Sequence, residues 1–136
     1  MKKNRGFTLI EILVVMVVIG ILAAIAVPSY NSQLRRGTRS AAQALMMDIA
    51  NKEQFYLQSQ RTYLDCASPC TNLSALGISA LPQEVSNFYT LRIDKDDVAT
   101  PPTFIITASV KSGTRQTVDG DLTLNSAGTK TPPSKW

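Results

Sequence analysis

The sequence predicts an α+β fold: a long, kinked N-terminal helix whose second half packs on a small antiparallel β-sheet. Three observations carry that prediction. An unbroken apolar run from Phe7 to Val27 is closed by Pro28, apolar residues then continue at helical spacing, and the last third of the chain holds short segments rich in β-branched and aromatic residues. The 136 residues suffice for one small domain plus one extra element, not for a two-domain enzyme.

The elements follow in order. Phe7–Val27 is 21 residues long, which as a helix covers about 30 Å, the thickness of a bilayer core. Its only charge is Glu11. The cluster Lys2, Lys3 and Arg5 ahead of it predicts a cytoplasmic N-terminus and export of everything after Pro28. Beyond the proline, Tyr30, Leu34, Ala41, Leu45, Ile49 and Tyr56 recur at helical spacing with Arg35, Arg36, Arg39, Gln43 and Lys52 largely on other faces, an amphipathic helix reaching about Ser59. Pro28 should bend it and Gly37 weaken it. Gln60 to Asn87 reads as loop, with a short helical turn near Leu73–Leu76. Phe88–Asp94, Thr103–Val110 and Asp121–Asn125 read as strands of an antiparallel meander. The polar tail Thr129–Lys135 ends on Trp136, which is too apolar for a free tail. Tyr30, Phe88, Tyr89 and Phe104 are expected in the core.

Composition excludes much chemistry. There is no histidine, so the commonest general base and metal ligand near neutral pH is absent and no Ser-His-Asp triad can be built. Cys66 and Cys70 are near enough in sequence to bridge if their Cα atoms come within about 7 Å; a ring so short contributes about 2 kcal/mol. A zinc site needs about four ligands and a catalytic thiol needs a base, and neither set is present. Asp94, Asp96 and Asp97 lack the glycine and glutamate of a calcium-binding loop and read as a solvated turn. No enzyme, metal or cofactor is expected.

The stretch Lys2-Lys3-Asn4-Arg5-Gly6-Phe7-Thr8-Leu9-Ile10-Glu11 resembles the leader of the type IV pilin superfamily. The resemblance implies a leader of residues 1–6, a filament-core and membrane segment of residues 7–28, and an exported globular domain of residues 29–136. It further implies that a prepilin peptidase cuts between Gly6 and Phe7 and methylates the new amine of Phe7, and that Pro28 is the helix-bending proline of such proteins. An ordinary signal peptide or plain anchor fits less well, because Glu11 inside the run costs on the order of 2.5–3.5 kcal/mol on insertion scales. Cleavage supplies a partner for that carboxylate: the amine of Phe7 on a neighbouring, axially displaced subunit, which would set both register and affinity.

Asn87-Phe-Tyr-Thr-Leu and Asp121-Leu-Thr-Leu-Asn-Ser-Ala-Gly-Thr-Lys130 are similar to small pilins of the PilE and ComP type. The C-terminal cysteines common in those proteins are missing here, with Asp119 or Asp121 and Lys135 near their places. The resemblance implies a structural, minor subunit of a type IV pilus, stored as a single-pass inner-membrane protein and drawn by an assembly platform into an extracellular filament with other pilins. Adhesion, twitching motility or DNA uptake would be its service. Two alternatives are a type II secretion pseudopilin and a DNA-receptor minor pilin. For the latter, Lys111, Arg115, Lys130 and Lys135 are the candidate contacts, but Ser29–Trp136 carries 11 Lys and Arg against nine Asp and Glu, about +2, so binding should be weak.

Overall fold

A computed structural model describes residues 7–136. The described residues fall into two compact units that divide between Leu34 and Arg35, and one helix, α1 (Leu9–Gln60), has residues in both. Thr8 starts it. Its Oγ1 accepts the backbone N–H of Glu11 at 3.3 Å, and its carbonyl accepts from Glu11 and Ile12 at 3.1 and 3.3 Å. This is the Thr-x-x-Glu spacing of a capped helix start, and it places the Glu11 carboxylate in the first turn, where the helix dipole favours negative charge. Pro28 lies inside α1; lacking an N–H, it leaves the carbonyl of Ala24 without its helical donor. The helix runs on through both Pro28 and Gly37 as one element.

In the second unit α1 buries Thr38, Ala42, Met46, Ile49 and Glu53, a stripe at spacings of four and three. This differs from the predicted face. Ile49 is common to both, whereas Ala41, Leu45 and Tyr56 only flank the stripe and Tyr30 is exposed. The stripe was hidden because its ends are the polar Thr38 and Glu53, which a search for apolar periodicity passes over.

The sheet is a four-stranded antiparallel meander in the order β1 (Tyr89–Asp96), β2 (Thr103–Val110), β3 (Leu122–Asn125) and β4 (Lys130–Thr131). Three of these strands were read from the sequence. The fourth, two residues long and followed by prolines, falls in the stretch that the sequence predicts as a polar tail. In β1 and β2 the registers Tyr89↔Val110 and Ile93↔Ile106 keep alternate residues inward: Tyr89, Leu91 and Ile93 from β1, Phe104, Ile106 and Ala108 from β2, and Leu122 and Leu124 from β3. These side chains and the Ala42–Met46–Ile49 stripe form one buried core. Tyr63 adds its ring edge-on to Phe104, 4.7 Å between centroids.

Short helical pieces occupy the connections. Ser74–Leu76 is a 3₁₀ turn ended by Gly77 at φ 71°, a left-handed conformation that glycine adopts freely. A helix, α2 (Gln83–Ser86), and a second 3₁₀ turn, Arg115–Val118, stand in segments read as plain loop. The loop after α1 carries the Cys66–Cys70 disulfide, with Cα atoms 5.4 Å apart. Cys66 and Ile93 exchange backbone hydrogen bonds at 2.9 and 3.0 Å, and the Cys70 N–H reaches the Leu91 carbonyl at 2.8 Å. The bridged loop therefore occupies the outer edge of β1, which would otherwise be open to strand addition.

Candidate assembly helix and basic surface

In the first unit every described residue from Phe7 to Asn31 is exposed. Within α1 an 18-residue window near the N-terminus has a mean hydropathy of 3.0 and none of it is buried, so the helix is long and apolar enough to cross a membrane. An apolar surface of this extent demands a partner, whether lipid or protein. Glu11 is its sole charge, one turn from Phe7, itself 79% exposed. Gly6, Lys2, Lys3 and Arg5 lie outside the described residues.

Of the four candidate basic residues, Arg115 and Lys130 each lie over an aromatic ring, whereas Lys111 and Lys135 are engaged by oxygen acceptors. Arg115 opens the second 3₁₀ turn, with its guanidinium carbon 4.3 Å from the centroid of Phe88 and Nη2 donating to Thr38 Oγ1 at 3.2 Å. Lys111, just past β2, donates from Nζ to the Ser86 carbonyl at 2.5 Å. On the other side of β3, Lys130 places Nζ 5.0 Å from the ring centre of Trp136, and the indole N–H donates to the Thr131 carbonyl at 3.2 Å. Trp136 also packs against the core, so it is not a free tail. Lys135 turns instead to Asp119, Nζ to Oδ1 at 3.7 Å.

Asp119 is the centre of a network that the sequence did not announce. Its side chain is 8% exposed and also accepts from Arg39 Nη1 at 3.1 Å. Gln116, fully buried, shares its Nε2 among Asp119 Oδ2 at 3.3 Å, the Tyr89 hydroxyl at 3.0 Å and the Arg35 carbonyl at 3.3 Å. The helix and the C-terminal segment thus meet directly on one carboxylate, and β1 joins it through Gln116. Burial pushes the Tyr89 phenol up, against the hydrogen bond from Gln116 and together with the nearby Asp119 charge. The one available signal was the position of Asp119 and Lys135 near the places of the absent cysteines.

Other acids are engaged elsewhere. Asp94 pairs with Arg92 at 2.5 Å, Asp97 with Lys95 at 2.6 Å, and Asp96 accepts from the backbone N–H groups of Val98 and Ala99 at 2.9 and 3.2 Å. The Lys95 ammonium, and next the Thr62 hydroxyl, hold the Asp97 carboxyl below its ordinary range. Among the described residues no three His, Cys, Asp or Glu side chains converge as metal ligands. Glu53 is fully buried; its Oε2 accepts from the Leu64 N–H at 2.9 Å while Oε1 has no partner among the described residues. Burial raises its pKa, opposed by that one hydrogen bond. A shallow cleft of about 240 Å³ lies between α1 and the sheet, lined by Met47, Ala50, Gln54, Phe104, Leu124 and Lys130 among others.

Comparison with known proteins connects both regions to one group. A family model described as type IV minor pilin ComP, DNA uptake sequence receptor, matches residues 28–123. A second, the prokaryotic N-terminal methylation motif, matches residues 1–27. The chain is 30% identical over 101 residues to the type IV major pilin protein PilE1 of Neisseria gonorrhoeae, covering 71% of this chain and 56% of that one. It is 30% identical over 86 residues, 63% of each chain, to the type IV wide pilus major component PilA4 of Thermus thermophilus. To the type IV major pilin protein PilA of Myxococcus xanthus it is 36% identical over 66 residues, 48% of this chain and 30% of that one. The matches thus span between 30% and 63% of these relatives' length.

Proposed function

This chain belongs to the type IV pilin family, in the group whose model is the minor pilin ComP, and from that premise we propose that it is a minor subunit of a type IV pilus. It is a structural protein, not an enzyme. The reading is carried by the wholly exposed apolar segment of α1 with its single carboxylate at Glu11. Before assembly this segment holds the protein in the inner membrane, N-terminus inside; in the filament the same surface packs against its neighbours, where Gly20, Ala23, Ala24 and Ala26 allow close approach. Prepilin peptidase cuts between Gly6 and Phe7 and methylates Phe7, and the assembly platform extracts the product. The methylation-motif match at residues 1–27 supports that route. Mass spectrometry of sheared filaments tests it: the N-terminal peptide should begin at methylated Phe7, and the chain should be a small fraction of total pilin. A mature N-terminus near Val27 would sink the proposal, and dominance of this chain in the filament would make it the major subunit.

A second reading, DNA contact during uptake, draws support from the description of the matching family model and from the basic–aromatic pairs Arg115–Phe88 and Lys130–Trp136. We infer weak binding without sequence preference. Lys135 is already paired with Asp119, and Arg115 is held by Phe88 and Thr38. Few phosphate contacts then remain, and affinity built from few contacts falls away as salt rises. In electrophoretic shifts with the Ser29–Trp136 piece, binding should vanish near physiological salt. Sequence-selective binding tighter than about 1 μM at that salt, stronger than ordinary non-specific affinity and lost when Lys111, Arg115, Lys130 and Lys135 are replaced by Ala, would make the receptor role primary.

A further inference from the structure

We propose that the C-terminal segment Lys130–Trp136 is a charge-held strap over the edge of β3, opening and closing independently of the rest of the sheet. Its backbone attachment is slight. β4 pairs with β3 only at Thr123↔Thr131 and Leu124↔Lys130, and Pro132 and Pro133, which follow directly, have no N–H to extend the ladder. The Thr123 and Thr131 hydroxyls add one side-chain hydrogen bond across the pair. By contrast β1 and β2 pair over eight residues each.

The segment's own contacts are partly internal. Trp136 Nε1 bonds to the Thr131 carbonyl, and Lys130 lies over the Trp136 ring; both move with the segment. To the rest of the domain it is joined by Gln43 Nε2 on the Lys135 carbonyl at 2.6 Å, by Lys135 Nζ on Asp119 at 3.7 Å, and by the half-buried Trp136 ring. None of its residues is buried. Elements with few buried apolar side chains open at far lower free energy than the core. The Lys135–Asp119 attraction is long and the lysine side chain is 31% exposed, so added salt screens it. Asp119 stays paired with Arg39 when the strap opens, which leaves the domain intact. The opened strap leaves the outer edge of β3, Leu122–Asn125, unpaired.

Hydrogen exchange of the full chain in detergent, followed peptide by peptide, tests this. Raising salt from 0.05 to 1 M shortens the Debye length to about 3 Å and should speed exchange of Lys130–Trp136 about threefold, as expected for loss of one exposed pair. Lys135→Gln, which keeps the backbone carbonyl that Gln43 binds, should give the same acceleration at low salt and abolish the salt effect. Peptides around Leu91 and Ile106 should not change in either case. Exchange of the last seven residues that is indifferent to salt and to Lys135→Gln overturns the proposal. So does acceleration shared equally by the core, since the pair would then hold the whole domain.

Discussion

Replacing Glu11 by Ala is expected to leave the protein cleaved, methylated and inserted in the membrane, yet to lower its recovery in filaments at least about tenfold. The two halves of this result have one cause. A carboxylate within an apolar helix opposes insertion by on the order of 2.5–3.5 kcal/mol, so its removal cannot harm storage in the bilayer. Nothing in the described residues pairs with the Glu11 side chain, and the surrounding surface from Phe7 to Asn31 is exposed. On the proposed reading its partner comes from assembly, and the amine that cleavage would create at Phe7 has the required charge. Removing one member of a desolvated ion pair costs about 3–5 kcal/mol, and even about 1.4 kcal/mol is a tenfold change in an equilibrium. Fractionation followed by immunoblotting separates the steps. Wild-type recovery of Glu11→Ala in sheared filaments would remove the pairing, whereas a variant that fails to be cleaved would move the role of Glu11 to the peptidase.

The features legible in the sequence were those that rest on repeated, local patterns. A run of 21 apolar residues, alternation along β1 and β2, and turn residues between them are each set by neighbours in the chain, and helix, meander and disulfide loop followed. Relations set by the tertiary fold were not legible. The core stripe of α1 begins at Thr38 and ends at Glu53, whose burial depends on what packs opposite. β4 is a strand only because β3 lies beside it. Gln116 and Tyr89 are 27 residues apart, and Arg39 and Asp119 are 80 apart; no spacing rule connects them. The basic residues illustrate the same division. Their identities suggested one patch, but the fold assigns Lys111 to the Ser86 carbonyl, Arg115 to Phe88, Lys130 to Trp136 and Lys135 to a carboxylate.

That carboxylate carries the second large effect: Asp119→Ala should destabilise the Ser29–Trp136 piece by about 2–4 kcal/mol, against under about 1 kcal/mol for Lys135→Ala. The contrast follows from what each change leaves behind. Lys135 is 31% exposed and 3.7 Å from its partner, so its loss frees Asp119 to keep Arg39, and an exposed pair of this kind contributes about 0–1 kcal/mol. Loss of Asp119 strands more. Arg39, whose side chain is only 21% exposed, is left without its partner at 3.1 Å, and the buried Gln116 amide loses one of three acceptors while its Oε1 already lacks a partner among the described residues. Breaking a buried pair costs about 3–5 kcal/mol, reduced here because Arg39 can reach water. Urea unfolding at pH 7 measures both variants, and the slope with denaturant should stay unchanged, since the surface exposed on unfolding is the same. Asp121→Ala is the control: its Oδ1 accepts a single backbone N–H, from Val110 at 2.8 Å, on the exposed side, so about 1 kcal/mol is expected. Equal losses for Asp119→Ala and Lys135→Ala would mean that the carboxylate holds only the C-terminus. A loss at Asp119 well above that at Asp121 would establish it as the charge that ties helix, sheet and C-terminal segment together where no second disulfide does so.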